Sequence, residues 1–138
     1  MSEAWLVITY APDVEVARMI SAALVKSNQA ACVNIVSPCE SVYRWKGAVE
    51  TASEVPLWIK TTAERYAEVE ATIRALHPHS GPEIIDIPIY SSLPAYIDWI
   101  RAETTPPRLP WDHAPALGGY SAGRERKRLT PIRRSPAP

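Results

Sequence analysis

Two pairs of residues in this sequence carry side chains that ligate metals or react. Cys32 and Cys39 lie seven positions apart in the stretch ACVNIVSPCESVYRW, residues 31 to 45, and His77 and His79 flank Pro78. Cysteine-based zinc sites use closely spaced pairs, which a C-x6-C spacing does not supply. Cys32 sits among apolar neighbours and reads as a small thiol packed in the core. Cys39 follows Pro38 at an expected bend, where ligation or oxidation is accessible, while its acidic neighbour Glu40 argues against a reactive nucleophile. The two imidazoles suit copper or zinc, and they equally suit a cationic cap at a helix C-terminus. Two histidines make an incomplete site. The candidate metal ligands are therefore Cys39, His77 and His79, with further donors coming from elsewhere, such as another subunit.

A second candidate site lies among the charges of residues 44 to 60. Arg44, Lys46, Glu50, Glu54 and Lys60 read first as solvated or ion-paired faces. A sharper reading is a cleft between subunits, lined by Trp45, Glu54, Trp58 and Lys60, that holds a small anion, since ligand sites favour interfaces with apolar walls and few polar groups. No Gly-rich phosphate loop, Ser-His-Asp order or paired-carboxylate motif is present, so no catalytic residue is assigned and the expectation is a non-enzyme. No cofactor is required on this reading. Copper or another divalent cation is the bound species to expect.

These residues must be positioned by a small set of elements. Ala4 to Tyr10 (AWLVITY) is a short apolar strand. Ala11-Pro12-Asp13 turns the chain, and Asp13 can cap a helix whose stripe is Val16, Ile20 and Leu24. That helix should end near Ser27-Asn28. Ala31 to Trp45 alternates as a strand interrupted at Pro38, which has no N–H for the ladder. Plain alternation puts Cys32 and Asn34 on one face with Val36, and Val33 and Ile35 on the other. It resumes with Cys39, Ser41, Tyr43 and Trp45 sharing a face. Lys46-Gly47 marks a turn, and Val49 to Lys60 returns as a second long strand, bent near Pro56. Thr61 and Glu64 offer a capping box for a second helix with the stripe Tyr66, Val69, Ile73 and Leu76. His77-Pro78 ends it. Ile84 to Tyr90 is a further strand, at an edge or bulged because of Pro88. Ser92 can cap a last helix with Tyr96, Trp99 and Ile100 on its buried side.

The order is βαββαβ plus a C-terminal helix. The fold class is α+β, a ferredoxin-like split β-α-β sandwich. Its central hairpin is about twice the five or six residues of an ordinary strand. The far half carries Tyr43, Trp45, Val55 and Trp58, which two helices of one subunit cannot cover. Pairing with other copies of the chain covers them, so an obligate homo-oligomer is expected.

The sequence resembles the CutA family of divalent-cation tolerance proteins. The resemblance is carried by Ala11-Pro12-Asp13, ACVNI (31 to 35), YRWKG (43 to 47), Glu50, SEV (53 to 55), Lys60-Thr61, His77-Pro78, PEII (82 to 85) and Pro88, with Tyr96 and Trp99 in the last helix. It spans residues 4 to about 103, in order and with matching spacing. It implies a ferredoxin-like subunit, a tight homotrimer, architectural kinship with PII-type signalling proteins, and a link to tolerance of copper and other divalent ions. It implies no defined enzymatic activity. A PII-like small-molecule sensor or trimeric scaffold is the alternative function. The chain departs from the family in three places. His77-Pro78-His79 replaces the usual His-Pro-Tyr, and Thr9 and Leu76 stand where some members carry a Cys and a second His.

At 138 residues the chain should form one domain, with 46% hydrophobic and 22% charged residues. Its net charge of zero hides an asymmetry: residues 1–105 hold eight basic and thirteen acidic side chains, and residues 106–138 seven basic and two acidic. Half of the fourteen prolines fall in that last part. The expected organisation is a CutA-like domain over 1–105 and a basic, Pro-rich, flexible tail over 106–138. The tail carries GRERKR (123 to 128) but no aromatic after Tyr120 to stack on bases, so nucleic acid is not an expected partner. No apolar run is long enough for a membrane helix, and MSEAWLVITY does not read as a signal peptide. With two unpaired cysteines, the expected compartment is the cytoplasm.

Overall fold

The computed structural model describes residues 3–106, so the tail expected over 106–138 lies outside the described residues apart from Pro106. Five strands and three helices follow in the order β1 (Ala4–Ala11), α1 (Val14–Lys26), β2 (Cys32–Ile35), β3 (Cys39–Trp45), β4 (Ala48–Thr62), α2 (Tyr66–Leu76), β5 (Ile84–Pro88) and α3 (Pro94–Glu103). A single 3-10 turn, Ala63–Arg65, leads into α2. The antiparallel sheet runs β2-β4-β1-β5, and β3 extends the β2 arm by pairing with the outer half of β4. This is the split β-α-β arrangement expected from the pattern of elements.

One face of the sheet carries the main core. Val7, Val55, Leu57 and Ile59 from the strands meet Ala17, Ile20 and Leu24 of α1 and Val69 and Ile73 of α2, all of them buried. Each large side chain among them contributes about 1.5–3 kcal/mol by leaving water. Period-two alternation is visible in β1, where Trp5, Val7, Thr9 and Ala11 are buried and Leu6, Ile8 and Tyr10 are half-buried. α3 packs against β4 and β1, and its Ile100 is buried outside the main cluster. It therefore covers part of the opposite face.

Local signals explain most helix ends. Asp13 accepts from Val16 N at 2.8 Å and starts α1. Asn28, at φ 58, takes the left-handed conformation just past its end. α2 stops at Leu76, and His77, held extended before Pro78, is its C-cap. Two expected caps do not form. Thr61 spends its hydroxyl on Gln29 O, at 2.6 Å, and neither the 3-10 turn nor α2 has a side-chain cap, so there is no capping box with Glu64. Leu93, not Ser92, is the N-cap of α3, and Pro94 begins the helix.

The bend at Pro38 is a change of register. Between Ile35↔Leu57 and Cys39↔Glu54 the β2–β3 arm has one residue more than β4. That is a bulge, and it inverts the alternation across it. Pro56 sits opposite. Its carbonyl accepts from Val36 N at 2.9 Å, so its missing N–H falls on the same side, where the ladder is already broken. Beyond the bulge, Ala48–Glu54 of β4 pairs only with β3. This two-stranded ribbon leaves Val42 and Val49 each 65% exposed, whereas Val55, expected on the uncovered half, pairs with Ala11 and is buried in the core. Its tip is the two-residue turn Lys46-Gly47, with both φ values positive, as a tight hairpin of right-twisted strands requires.

Candidate functional site

Register assigns the candidate residues to one face. Cys32 lies opposite Lys60 and Asn34 opposite Trp58, while Cys39 lies opposite Glu54 and Trp45 opposite Ala48. Positions 48, 54, 58 and 60 of β4 alternate onto a common side, away from buried Val55, Leu57 and Ile59. Because of the bulge, Cys32 and Cys39 share that side, which an odd separation would otherwise forbid. Six residues of β4 separate their partners, about 20 Å at the usual rise. Disulfide geometry needs Cα atoms within about 7 Å, so the two thiols of one subunit cannot join. Both are free.

Cys39 belongs to a small polar group at the base of the ribbon. Ser41 donates to Glu54 at 2.6 Å, and Cys39 Sγ lies 3.9 Å from Ser41 Oγ. A soft thiol and a carboxylate thus face the same side within one residue pair.

The two histidines differ in what they offer. His77 is 7% exposed. One of its ring nitrogens, Nδ1, accepts from His79 N at 3.1 Å. The other must then carry the proton, and Nε2 donates to Tyr10 O at 2.8 Å. With both nitrogens engaged, His77 has no lone pair for a metal. Burial holds its pKa below the ordinary value of 6.5, with the Tyr10 carbonyl opposing and His79 adding to the shift. His79 stacks at a tilt, ring centroids 5.0 Å apart, and is the more accessible imidazole. Among the described residues no three His, Cys, Asp or Glu side chains gather closely enough to hold a metal ion. Cys39, His77 and His79 are therefore not brought together in one subunit. Thr9 and Leu76 add nothing: Thr9 is fully buried with its hydroxyl donating to Glu83 O at 2.7 Å, and Leu76 packs against the core.

The four cleft residues share the face but not a locus. Trp45 pairs at Ala48, ten residues of β4 from Trp58, or about 33 Å. Lys46 Nζ sits over the Trp45 ring, 5.8 Å from its centroid, so that tryptophan already has a cation. Lys60 donates to Asn34 Oδ1 and lies 4.0 Å from Cys32 Sγ, beside Trp58, which is 47% exposed. Burial and then Cys32 raise the Tyr96 pKa.

The model of the CutA1 divalent ion tolerance protein family matches residues 5–103. The chain belongs to the CutA1 family. The divalent-cation tolerance protein CutA of Thermus thermophilus is 42% identical over 99 residues, which cover 72% of this chain and 96% of that protein. The solved structure of the divalent cation tolerance protein from the same organism superposes with a TM-score of 0.73 at 41% identity, covering 74% of this chain and 99% of that one. The Archaeoglobus fulgidus CutA structure, described as a periplasmic divalent cation tolerance protein, gives 0.71 at 35% identity, covering 74% and 99%.

Within this CutA1 chain, sequence reasoning missed three contributors, Cys32, Asn34 and Ser41. Asn34 and Cys32 join Lys60, whereas Cys32 was expected in the core. Only the register, with Cys32 opposite a lysine, carried that signal. Ser41 links Cys39 to Glu54, a pairing set by the bulge. Tyr96 and Trp99, expected on the buried side of α3, are 37% and 41% exposed and stack on each other, and Ile100 alone is fully buried.

Proposed function

We propose that this protein acts in divalent-cation tolerance as a non-catalytic, cytoplasmic homotrimer that holds metal ions between subunits. The observation that carries the reading is the Cys39–Ser41–Glu54 group, a thiol and a carboxylate on one face of a ribbon that its own helices leave bare. It is half of a coordination sphere. His79 supplies an imidazole at another place on the surface, and a neighbouring subunit's His79 completes the set. His77 holds the His79 backbone and the end of α2 in place and does not ligate. Thiolate and imidazole together favour copper, with zinc next. A ribbon with apolar side chains exposed on one face needs partners, and three copies arranged cyclically bury all three ribbons. Two free cysteines agree with a reducing compartment.

The test is calorimetric titration of Cu(II), and of Cu(I) under reducing conditions, into wild-type protein, Cys39→Ser and His79→Ala. Saturable binding lost in both variants, with assembly size unchanged, supports the reading. Binding that is absent, or identical in all three, refutes it.

A PII-like sensor is the second reading, favoured by Lys60 beside the exposed ring of Trp58. It expects a small anion to bind in a manner abolished by Lys60→Ala and untouched by Cys39→Ser.

A further inference from the structure

Cys32 and Lys60 have no part in the metal reading, yet they face each other directly across β2 and β4. Lys60 Nζ stands 4.0 Å from Cys32 Sγ, and Asn34 Oδ1 accepts from the same nitrogen. Both side chains are half-buried. The only other thiol of the chain is Cys39, about 20 Å away along β4.

We infer that Cys32 and Lys60 form a redox-reversible sulfur–nitrogen cross-link, with hydrogen peroxide as oxidant. In the first step the sulfur attacks one peroxide oxygen. The S–O bond forms, the O–O bond breaks, and Cys32 sulfenic acid and one water result. In the second step Lys60, its ammonium proton passed to water, attacks the sulfenic sulfur. The S–N bond forms and the S–O bond breaks. Hydroxide leaves and takes the remaining amine proton as a second water. One thiol, one amine and one peroxide thus give one sulfenamide and two waters. Sulfur is oxidised and peroxide reduced. A small-molecule thiol reverses the step by attacking the sulfenamide sulfur and releasing the amine. A second thiol then frees Cys32 from the mixed disulfide.

The fate of a sulfenic acid depends on the nucleophile within reach, which is ordinarily another thiol. Here that thiol is out of range within the subunit, and the amine is in place. Closing from 4.0 Å to a bond asks for a shift of about 2 Å, within the compass of lysine's flexible four-carbon stem. The bond would staple β2, a four-residue edge strand, to β4 and remove the Lys60 charge from the face.

The test is intact-mass and peptide mapping of the full-length protein after hydrogen peroxide, with parallel Cys32→Ser, Cys39→Ser and Lys60→Arg variants. The expected result is a loss of two hydrogens' mass per chain, a linked peptide joining Cys32 to Lys60, and recovery with dithiothreitol. Cys39→Ser keeps the product, and the other two variants lose it. The proposal is overturned if wild-type Cys32 gains oxygen with Lys60 unmodified. It is also overturned if Lys60→Arg still loses two hydrogens, or if the product is a disulfide-linked dimer through Cys39. The wild-type map decides the matter even where a variant folds poorly.

Discussion

Replacing His77 with alanine separates a structural histidine from a ligand. The ring is 7% exposed, donates to Tyr10 O at 2.8 Å and accepts from His79 N at 3.1 Å. Each hydrogen bond contributes about 0.5–1.5 kcal/mol net, and a buried group left without its partner costs about 1–3 kcal/mol. His77→Ala should therefore destabilise the fold by about 2–3 kcal/mol at pH 8. The loss should depend on pH. The folded imidazole takes its proton only below its ordinary value, because burial opposes the charge and because protonation would remove the Nδ1 acceptor. The unfolded chain takes the same proton near its ordinary value of 6.5. As pH falls below that value, the unfolded state binds a proton the folded state lacks, and stability declines. His77→Ala lacks this titration, so its deficit against wild type should shrink from pH 8 to pH 5. Urea unfolding followed by circular dichroism, at one protein concentration and several pH values, measures both quantities. A deficit below about 0.5 kcal/mol, or one that grows in acid, would refute the assignment of His77 as a buried neutral strut.

Three further outcomes follow from single elements. Asp13→Ala removes the acceptor of Val16 N and should cost about 1 kcal/mol in the same unfolding assay. Gly47→Ala meets no atom within 4 Å, so its cost of about 1 kcal/mol should come from the backbone at φ +82 alone. The double substitution Val42→Lys and Val49→Lys places two charges on one face of the ribbon. Light scattering coupled to size-exclusion chromatography should then report a smaller species, while circular dichroism of the body is retained.

Much of this fold was legible because its signals are local. The β1 alternation, the Asp13 cap, the break before Pro78 and the Lys46-Gly47 turn each depend on a few neighbouring residues. The misreadings arose where a distant partner decided. Thr61 resembles the first residue of a capping box, but Gln29, 32 positions away, takes its hydroxyl. Cys32 looks like a core thiol until the pairing with β4 turns it toward Lys60. The faces of Cys39 and Glu54 depend on one extra residue in the β2–β3 arm, which alternation alone counts the wrong way. His77 and His79 look equivalent in sequence. Only the Tyr10 carbonyl and the His79 amide reveal that one ring is already committed.

A site shared between subunits makes one prediction that a site within a subunit cannot. Cys39→Ser and His79→Ala chains, each unable to bind copper alone, are unfolded together in equal amounts and refolded into mixed assemblies. In a cyclic trimer, where one subunit's Cys39 faces the next subunit's His79, about one quarter of the interfaces then carry both intact side chains. Copper titration of the mixture should recover about one quarter of the wild-type stoichiometry. Recovery of none, with mixed assemblies demonstrated by mass spectrometry, would contradict the shared site.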